Sequence, residues 1–235
     1  MRFFALLIAV LFTSQSFSQE AKTPAKKKAA PNPAYVPTQD VAGLPRVLII
    51  GDSISIGYQP ALREALAGKA NVHRPAANCG PTMRGVEQIE QWLGDGKWDV
   101  IHFNFGLHDV RHFDDAGKAT DADKGHRQVS DVDYEKNLDM LVNRMKKTGA
   151  KLIFALTTPV PDGSPGRIKG DEVKYNEIAR RVMQRHGVAI DDLYSFALPR
   201  LAEIQLPANV HFKPEGSKML AEQVASSILK ALNSK

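Results

Sequence analysis

Short apolar runs that end in glycine or proline, each followed by residues with helical spacing, constrain this chain more than any other feature. RVLII (Arg46–Ile50) runs into Gly51, WDVIHFNFG spans Trp98–Gly106, KLIFALTTP spans Lys151–Pro159, and VAID (Val188–Asp191) is a shorter version. Continuous apolar residues, as opposed to alternating ones, mark strands covered on both faces, which is the signature of a parallel sheet. The intervening stretches Gln59–Leu66, Tyr134–Lys147, Glu172–Arg185 and Pro214–Leu232 read as helices. In the second of them Leu138, Leu141, Val142 and Met145 fall on one face, as a helix packed on a core requires. Ser130 and Asp133 ahead of that face form a capping box, and Gly149 suits the C-terminal end. Strands alternating with helices predict an α/β fold, a parallel sheet with helices on both sides.

The front end is expected to be a targeting device. Arg2 precedes an unbroken apolar run from Phe3 to Phe12, and small residues close the segment at Ser16 and Ser18. This is the form of a secretory signal peptide, residues 1–18, with cleavage after Ser18 and a periplasmic or secreted product. The run is too short to span a bilayer, so no membrane span is expected after cleavage. Residues 19–45, rich in lysine, proline and alanine, read as a solvated linker, and the folded domain is expected at 46–235. From Arg46 onward 26 basic residues face 24 acidic ones. The surplus of positive charge therefore sits at the front, and the domain gives no electrostatic reason to expect nucleic acid. Neither a phosphate-cradling GxxxxGK[ST] nor a GxGxxG occurs, and the single cysteine, Cys79, excludes an internal disulfide.

Chemistry-bearing residues gather where the strands end. The first run passes into Gly51-Asp52-Ser53-Ile54-Ser55-Ile56-Gly57. A serine placed there stands at a helix N-terminus, where free N–H groups and the positive dipole end favour an oxyanion. Capping by Asp52 or Ser53 is the simpler role for such a turn. Further on come Asn78-Cys79-Gly80-Pro81-Thr82, then Gly106-Leu107-His108-Asp109, and finally His211 ahead of the last helix.

Taken in that order, GDSISIG and the terminal NVHFKPEGSKML in particular, the chain resembles the SGNH (GDSL-type) hydrolase superfamily of serine esterases and lipases from about Arg46 to its end. The resemblance implies a flavodoxin-like three-layer α/β/α sandwich. It implies Ser53 as nucleophile, His211 as base, and an oxyanion hole built from the N–H groups of Ser53 and Gly80 with a third donor. No cofactor is implied. Two positions depart from the family pattern. His108 stands where the family has asparagine, so a neutral imidazole N–H would be the third donor, with Asn78 and Asn104 as alternatives. Ala208 stands where the family has the aspartate that orients the base. Asn209 is the nearest polar neighbour, and Asp191, Asp192 and Glu215 are further candidates; without any of them a Ser–His dyad would remain. Asp52 and Asp109 are expected as supporting residues.

The segment Val110–Val129 carries His112, Asp114 and Asp115 close to His108 and Asp109, but in no metal-binding spacing, and reads as a solvated loop. His102 reads as a core histidine, and Cys79 as a small buried residue. The reading as a whole is an exported carboxylic ester hydrolase acting on a small-molecule or carbohydrate ester, such as an O-acetylated sugar. A non-catalytic carbohydrate binder on the same fold and an O-acyltransferase using the same serine are its alternatives.

Overall fold

The structure, a computed structural model, describes residues 32–94 and 96–234. The expected signal peptide and the first part of the linker lie outside the described residues. The elements in chain order are β1 (Arg46–Ile50), α1 (Ser53–Ala65), β2 (Asn71–His73), α2 (Thr82–Leu93), β3 (Val100–Phe103), β4 (His112–Phe113), β5 (His126–Arg127), α3 (Asp131–Lys146), β6 (Lys151–Ala155), α4 (Asp171–His186), β7 (Ala189–Asp191), α5 (Leu193–Ala197), α6 (Leu201–Ile204) and α7 (Pro214–Asn233). The main sheet has the order β2-β1-β3-β6-β7 and every pairing in it is parallel.

Strand alternation builds the two faces. Leu48, Ile50, Ile101, Phe103 and Phe154 pack with α2, α3 and α4 through Ile89, Leu138, Leu141 and Val182. Val47, Ile49, Val100 and Ile153 pack with α1 and α7 through Leu62, Leu220, Val224 and Ile228. Each face thus hides a continuous apolar layer, the arrangement the unbroken runs require. The serine half of the expected capping box is formed, Ser130 Oγ accepting from the Asp133 N–H at 3.1 Å, while the Asp133 carboxylate returns to the Ser130 hydroxyl at 2.6 Å and not to its backbone N–H.

The sheet runs outward from β1 in both directions. β2 lies on one side of it, and the chain then crosses back to place β3 on the other. This reversal opens a crevice at the carboxyl ends of β1 and β3, where open α/β sheets bind ligands. α1 begins at that end of β1, three residues after Ile50.

Some expectations need correction. β2, α2, α5 and the β4–β5 hairpin lay outside the sequence reading. The hairpin strands are two residues each, too short to produce a pattern. Residues 32–45 are not a free tether. Thr38 Oγ1 donates to Val72 O at 2.6 Å, Asn71 holds Val41 through both backbone groups, and Asp40 pairs with Arg46 and His73. The packed chain therefore starts before Arg46. Its polar docking contacts leave no hydrophobic periodicity for a sequence to display.

The segment carrying His211 is clamped between α6 and α7. The Leu206 N–H donates to His211 O and the Lys213 N–H to Ile204 O, both at 2.9 Å. The buried Gln205 donates from Nε2 to Pro159 O at 2.9 Å and to Val210 O at 3.2 Å. Gly216 lets α7 approach this clamp, since a Cβ there would fall well inside contact distance of the Ile204 carbonyl. Gly216→Ala should lower the urea midpoint. The helix-propensity gain of about 1 kcal/mol is outweighed by a backbone clash costing about 1–3 kcal/mol or more. An unchanged or raised midpoint would show that the clamp yields.

Candidate active site

Ser53 is the first residue of α1. The buried Asp52 caps the helix, its Oδ1 accepting from the Ile54 N–H at 2.9 Å. That cap leaves the Ser53 N–H with no acceptor among the described residues, as expected for a first-turn amide. Across the crevice, His211 Nε2 lies 2.8 Å from Ser53 Oγ. The two residues, 158 positions apart, therefore meet at one rim of the sheet.

The ring of His211 is oriented by Asn209. Asn209 Oδ1 accepts from the His211 backbone N–H at 3.0 Å and lies 2.7 Å from His211 Nδ1. The backbone N–H can only donate, so the atom facing it is the amide oxygen. Nδ1 must then carry the proton, which leaves Nε2 as the acceptor for the Ser53 hydroxyl. The arrangement is a serine, a histidine held in the base tautomer, and an asparagine in the place of the usual carboxylate. Ala208 has a positive φ of 49°, alone among the non-glycine residues described, and its Cβ faces Gly163.

Two of the three carboxylates considered for His211 are engaged elsewhere. Asp191 is buried, with Oδ2 at 3.0 Å from His102 Nε2 and Oδ1 accepting from Gln223 Nε2 at 2.9 Å. Asp192 caps α5 through the Ser195 N–H and pairs with Arg180. Glu215 lies in the first turn of α7. Asn104 donates to Ala155 O at 2.8 Å and so bridges β3 and β6.

Of the three expected oxyanion donors, Gly80 is not free. It takes a φ of 65°, and its N–H donates to Asn78 Oδ1 at 3.0 Å. It can serve only as a shared donor or once Asn78 turns away. The His108 side chain has no hydrogen-bond partner among the described residues. Burial pushes its pKa down; Asp52 pulls the other way, while Arg167, Arg111 and His211 reinforce the fall. The imidazole is thereby kept neutral, the form that can donate one N–H while the second ring nitrogen stays unprotonated.

Neighbouring loops are tied to this rim. Arg74 joins the second loop to the first, with Nη1 donating to Ser55 Oγ at 3.2 Å and Nη2 to Gly51 O at 3.4 Å. Asp109 Oδ1 accepts from Thr82 N and Oγ1 at 2.8 and 2.5 Å, fixing the start of α2. Arg167, outside the sequence reading, donates from Nε to Leu107 O at 2.7 Å. Nothing in its proline- and glycine-rich loop distinguished it from a solvated arginine. Cys79 is buried, and desolvation pushes its thiol up to about 11, so it is protonated and unreactive at neutral pH. In the charged loop, Asp114 Oδ1 accepts from Ala116 and Lys118 N–H groups, and His112 Nδ1 faces Gly166 O. No group of three or more metal-ligating side chains converges among the described residues.

A family model described as the GDSL-like Lipase/Acylhydrolase family matches residues 49–219. Similar solved structures include a lipase/acylhydrolase from Enterococcus faecalis, 19% identical, TM-score 0.64, covering 79% of this chain and 95% of that one. The acetyl xylan esterase AlAXEase is 19% identical with a TM-score of 0.62, covering 78% of this chain and 99% of its own. Axe2, an acetylxylan esterase from Geobacillus stearothermophilus, is 16% identical with a TM-score of 0.64, covering 81% and 95%. No curated protein sequence matches the chain. At these identities the structures establish the fold.

Burial raises the Asp109 carboxyl to about 7 from an ordinary aspartate value of 3.8, against the lowering effect of its Thr82 bonds. The folded protein therefore holds this proton over a range where the unfolded chain releases it. Its stabilising share is complete below about pH 4 and lost as pH rises through about 7. Asp109→Asn keeps an oxygen for Thr82 and should flatten the decline in urea midpoint between pH 5 and pH 8. A variant that declines as steeply as wild type would assign the slope to another group.

Proposed function

This chain belongs to the GDSL-like lipase/acylhydrolase family, and from that premise we propose that Ser53, His211 and Asn209 form the reaction centre of an exported carboxylic ester hydrolase. The observation that carries the reading is the 2.8 Å contact between His211 Nε2 and Ser53 Oγ, in the tautomer that Asn209 imposes.

His211 Nε2 takes the Ser53 proton as Oγ attacks the ester carbonyl, since a serine hydroxyl becomes a useful nucleophile only beside a base. The developing oxyanion is received by the Ser53 N–H and by His108, with Gly80 contributing once its amide is shared. Each such donor contributes about 3–4 kcal/mol in serine hydrolases. His211 Nε2–H then protonates the departing alkoxide, leaving an acyl group on Ser53. Water, deprotonated by the same nitrogen, attacks that acyl group and releases the acid and free Ser53. Asn209 holds the ring throughout, but as a neutral amide it stabilises the imidazolium less than a carboxylate would.

An O-acetylated carbohydrate fits as substrate. Acetyl xylan esterases are among the proteins of similar fold, and the charged n-region and apolar run at residues 2–12 support delivery outside the inner membrane. Sugar esters are then within reach without any transporter.

A fluorophosphonate probe should label the wild-type protein, p-nitrophenyl acetate should be hydrolysed, and Ser53→Ala should abolish both. Equal signals from the two proteins would defeat the hydrolase reading and favour a carbohydrate binder; acetyl transfer to an added sugar acceptor would favour a transferase. Asn209→Ala should lower kcat by roughly 10²–10⁴, the range spanned by losing oriented base catalysis. Asn209→Asp places a negative charge beside Nδ1, which favours the imidazolium. The acid limb of its kcat/KM profile should move to higher pH, and an unmoved limb would separate Asn209 from the base.

A further inference from the structure

Two arginines without a carboxylate partner stand beside His108. The arginines in ion pairs among the described residues are Arg46, Arg127, Arg144, Arg180, Arg181 and Arg185. Arg111 and Arg167 are not among them. Both are fixed to the strand-end segment that presents His108. Arg167 donates from Nε to Leu107 O at 2.7 Å, and the Arg111 backbone N–H donates to His108 O at 3.2 Å. The two loops are joined where the His112 N–H meets Gly166 O at 2.8 Å. Arg111 lies along Gly166, within 4 Å of where a Cβ on that glycine would stand.

Their hydrogen-bonding capacity is largely unspent. The Arg111 side chain makes no hydrogen bond among the described residues, and its Nε is buried without a partner. Arg167 uses only Nε, so its two terminal nitrogens have no protein acceptor there. Burial and then Arg111 push Arg167 down to about 10, which still leaves it charged at neutral pH. The acids close by do not neutralise the pair. Asp52 acts on Arg167 and on His108, but it is a single charge whose Oδ1 is held by Ile54. Asp114 and Asp121 share a surface depression with Arg111; Asp114 spends Oδ1 on the N–H groups of Ala116 and Lys118, and Asp121 is paired with Lys124. Both arginines are half-buried, so part of each guanidinium's hydration is already lost and an anion would replace it; their planar forks match carboxylate and sulfate oxygens two at a time.

We propose that Arg111 and Arg167 form an anion subsite beside the Ser53–His211 pair, which selects esters borne on carbohydrate that carries a carboxylate or sulfate group. The substrate assignment rests on the esterase reading; the subsite itself does not need turnover to be measured. A neutral acetylated sugar would leave Arg167 with no anion and Arg111 with only the Phe113 ring, 5.8 Å from its guanidinium carbon.

Calorimetric titration of the Ser53→Ala protein, which keeps both arginines, reads the subsite directly. The probes are O-acetylated trigalacturonate, O-acetylated sulfated galactotriose and neutral O-acetylated xylotriose. One anionic probe should bind at least about tenfold more tightly than the neutral one, the size of a single charge-assisted hydrogen bond. Whichever anionic probe leads identifies the group as carboxylate or sulfate. Adding Arg111→Gln or Arg167→Gln should remove most of the preference; Arg111→Gln leaves the Arg167 anchor on Leu107 intact and so reads charge without loosening the loop. Equal affinity for all three probes, or a preference that survives both substitutions, would overturn the subsite. Fluorophosphonate labelling of Ser53 in wild type together with equal affinities would sink the subsite alone. Anion preference without labelling would support the subsite and sink the esterase.

Discussion

The crossover that carries the chain from β2 back over β1 to β3 decides where everything else can stand. With every pairing in the main sheet parallel, the loops that follow β1, β3 and β6 leave at one edge, and the reversal between β1 and β3 parts them enough to leave a crevice. A crevice of loops is a weak scaffold unless the loops are held to one another. Here they are, by polar ties of different kinds: Arg74 to Gly51 O and Ser55, Asp109 to Thr82, Arg167 to Leu107 O, and Gln205 to Pro159 O. Each tie satisfies backbone groups that the strand ends and helix starts leave open. The same bonds that stop the sheet from fraying also fix the distance from Ser53 to His211.

Replacing a carboxylate by an amide beside a base usually spoils the base, because an amide can present its N–H and select the wrong tautomer. In this protein the His211 backbone N–H occupies the same Asn209 oxygen that faces Nδ1. A rotated amide would set two donors against each other. The tautomer is therefore enforced by a second bond from the histidine's own backbone, and no buried charge is required. What the amide does not supply is electrostatic support for the imidazolium.

The fold was legible because fully buried strands leave a signal that little else produces. β1 was found to the residue, and β3, β6 and β7 within a few. The capping box at Ser130 was equally visible, being local chemistry. α2 carries a legible helical face, Val86, Ile89 and Leu93 at i, i+3 and i+7, which lies outside the sequence reading, between the glycine-bearing loop and the Trp98 run. The site was legible in part. Ser53 and His211 were marked by their motifs, but the choice between Asn209, Asp191 and Asp192 depends on where each side chain points across the crevice, which no spacing encodes. Asp191 was already committed to His102 inside the core. Arg111 and Arg167 lie in polar loops without periodicity, and only their missing partners, a property of the folded chain, make them notable.

The left-handed backbone at Ala208 also bears on how the turn ahead of Asn209 is held. Its Cβ stands against Gly163. Left-handed backbone is costly for any residue with a Cβ, so a glycine at this position would relax the turn that delivers Asn209 and His211 to the rim.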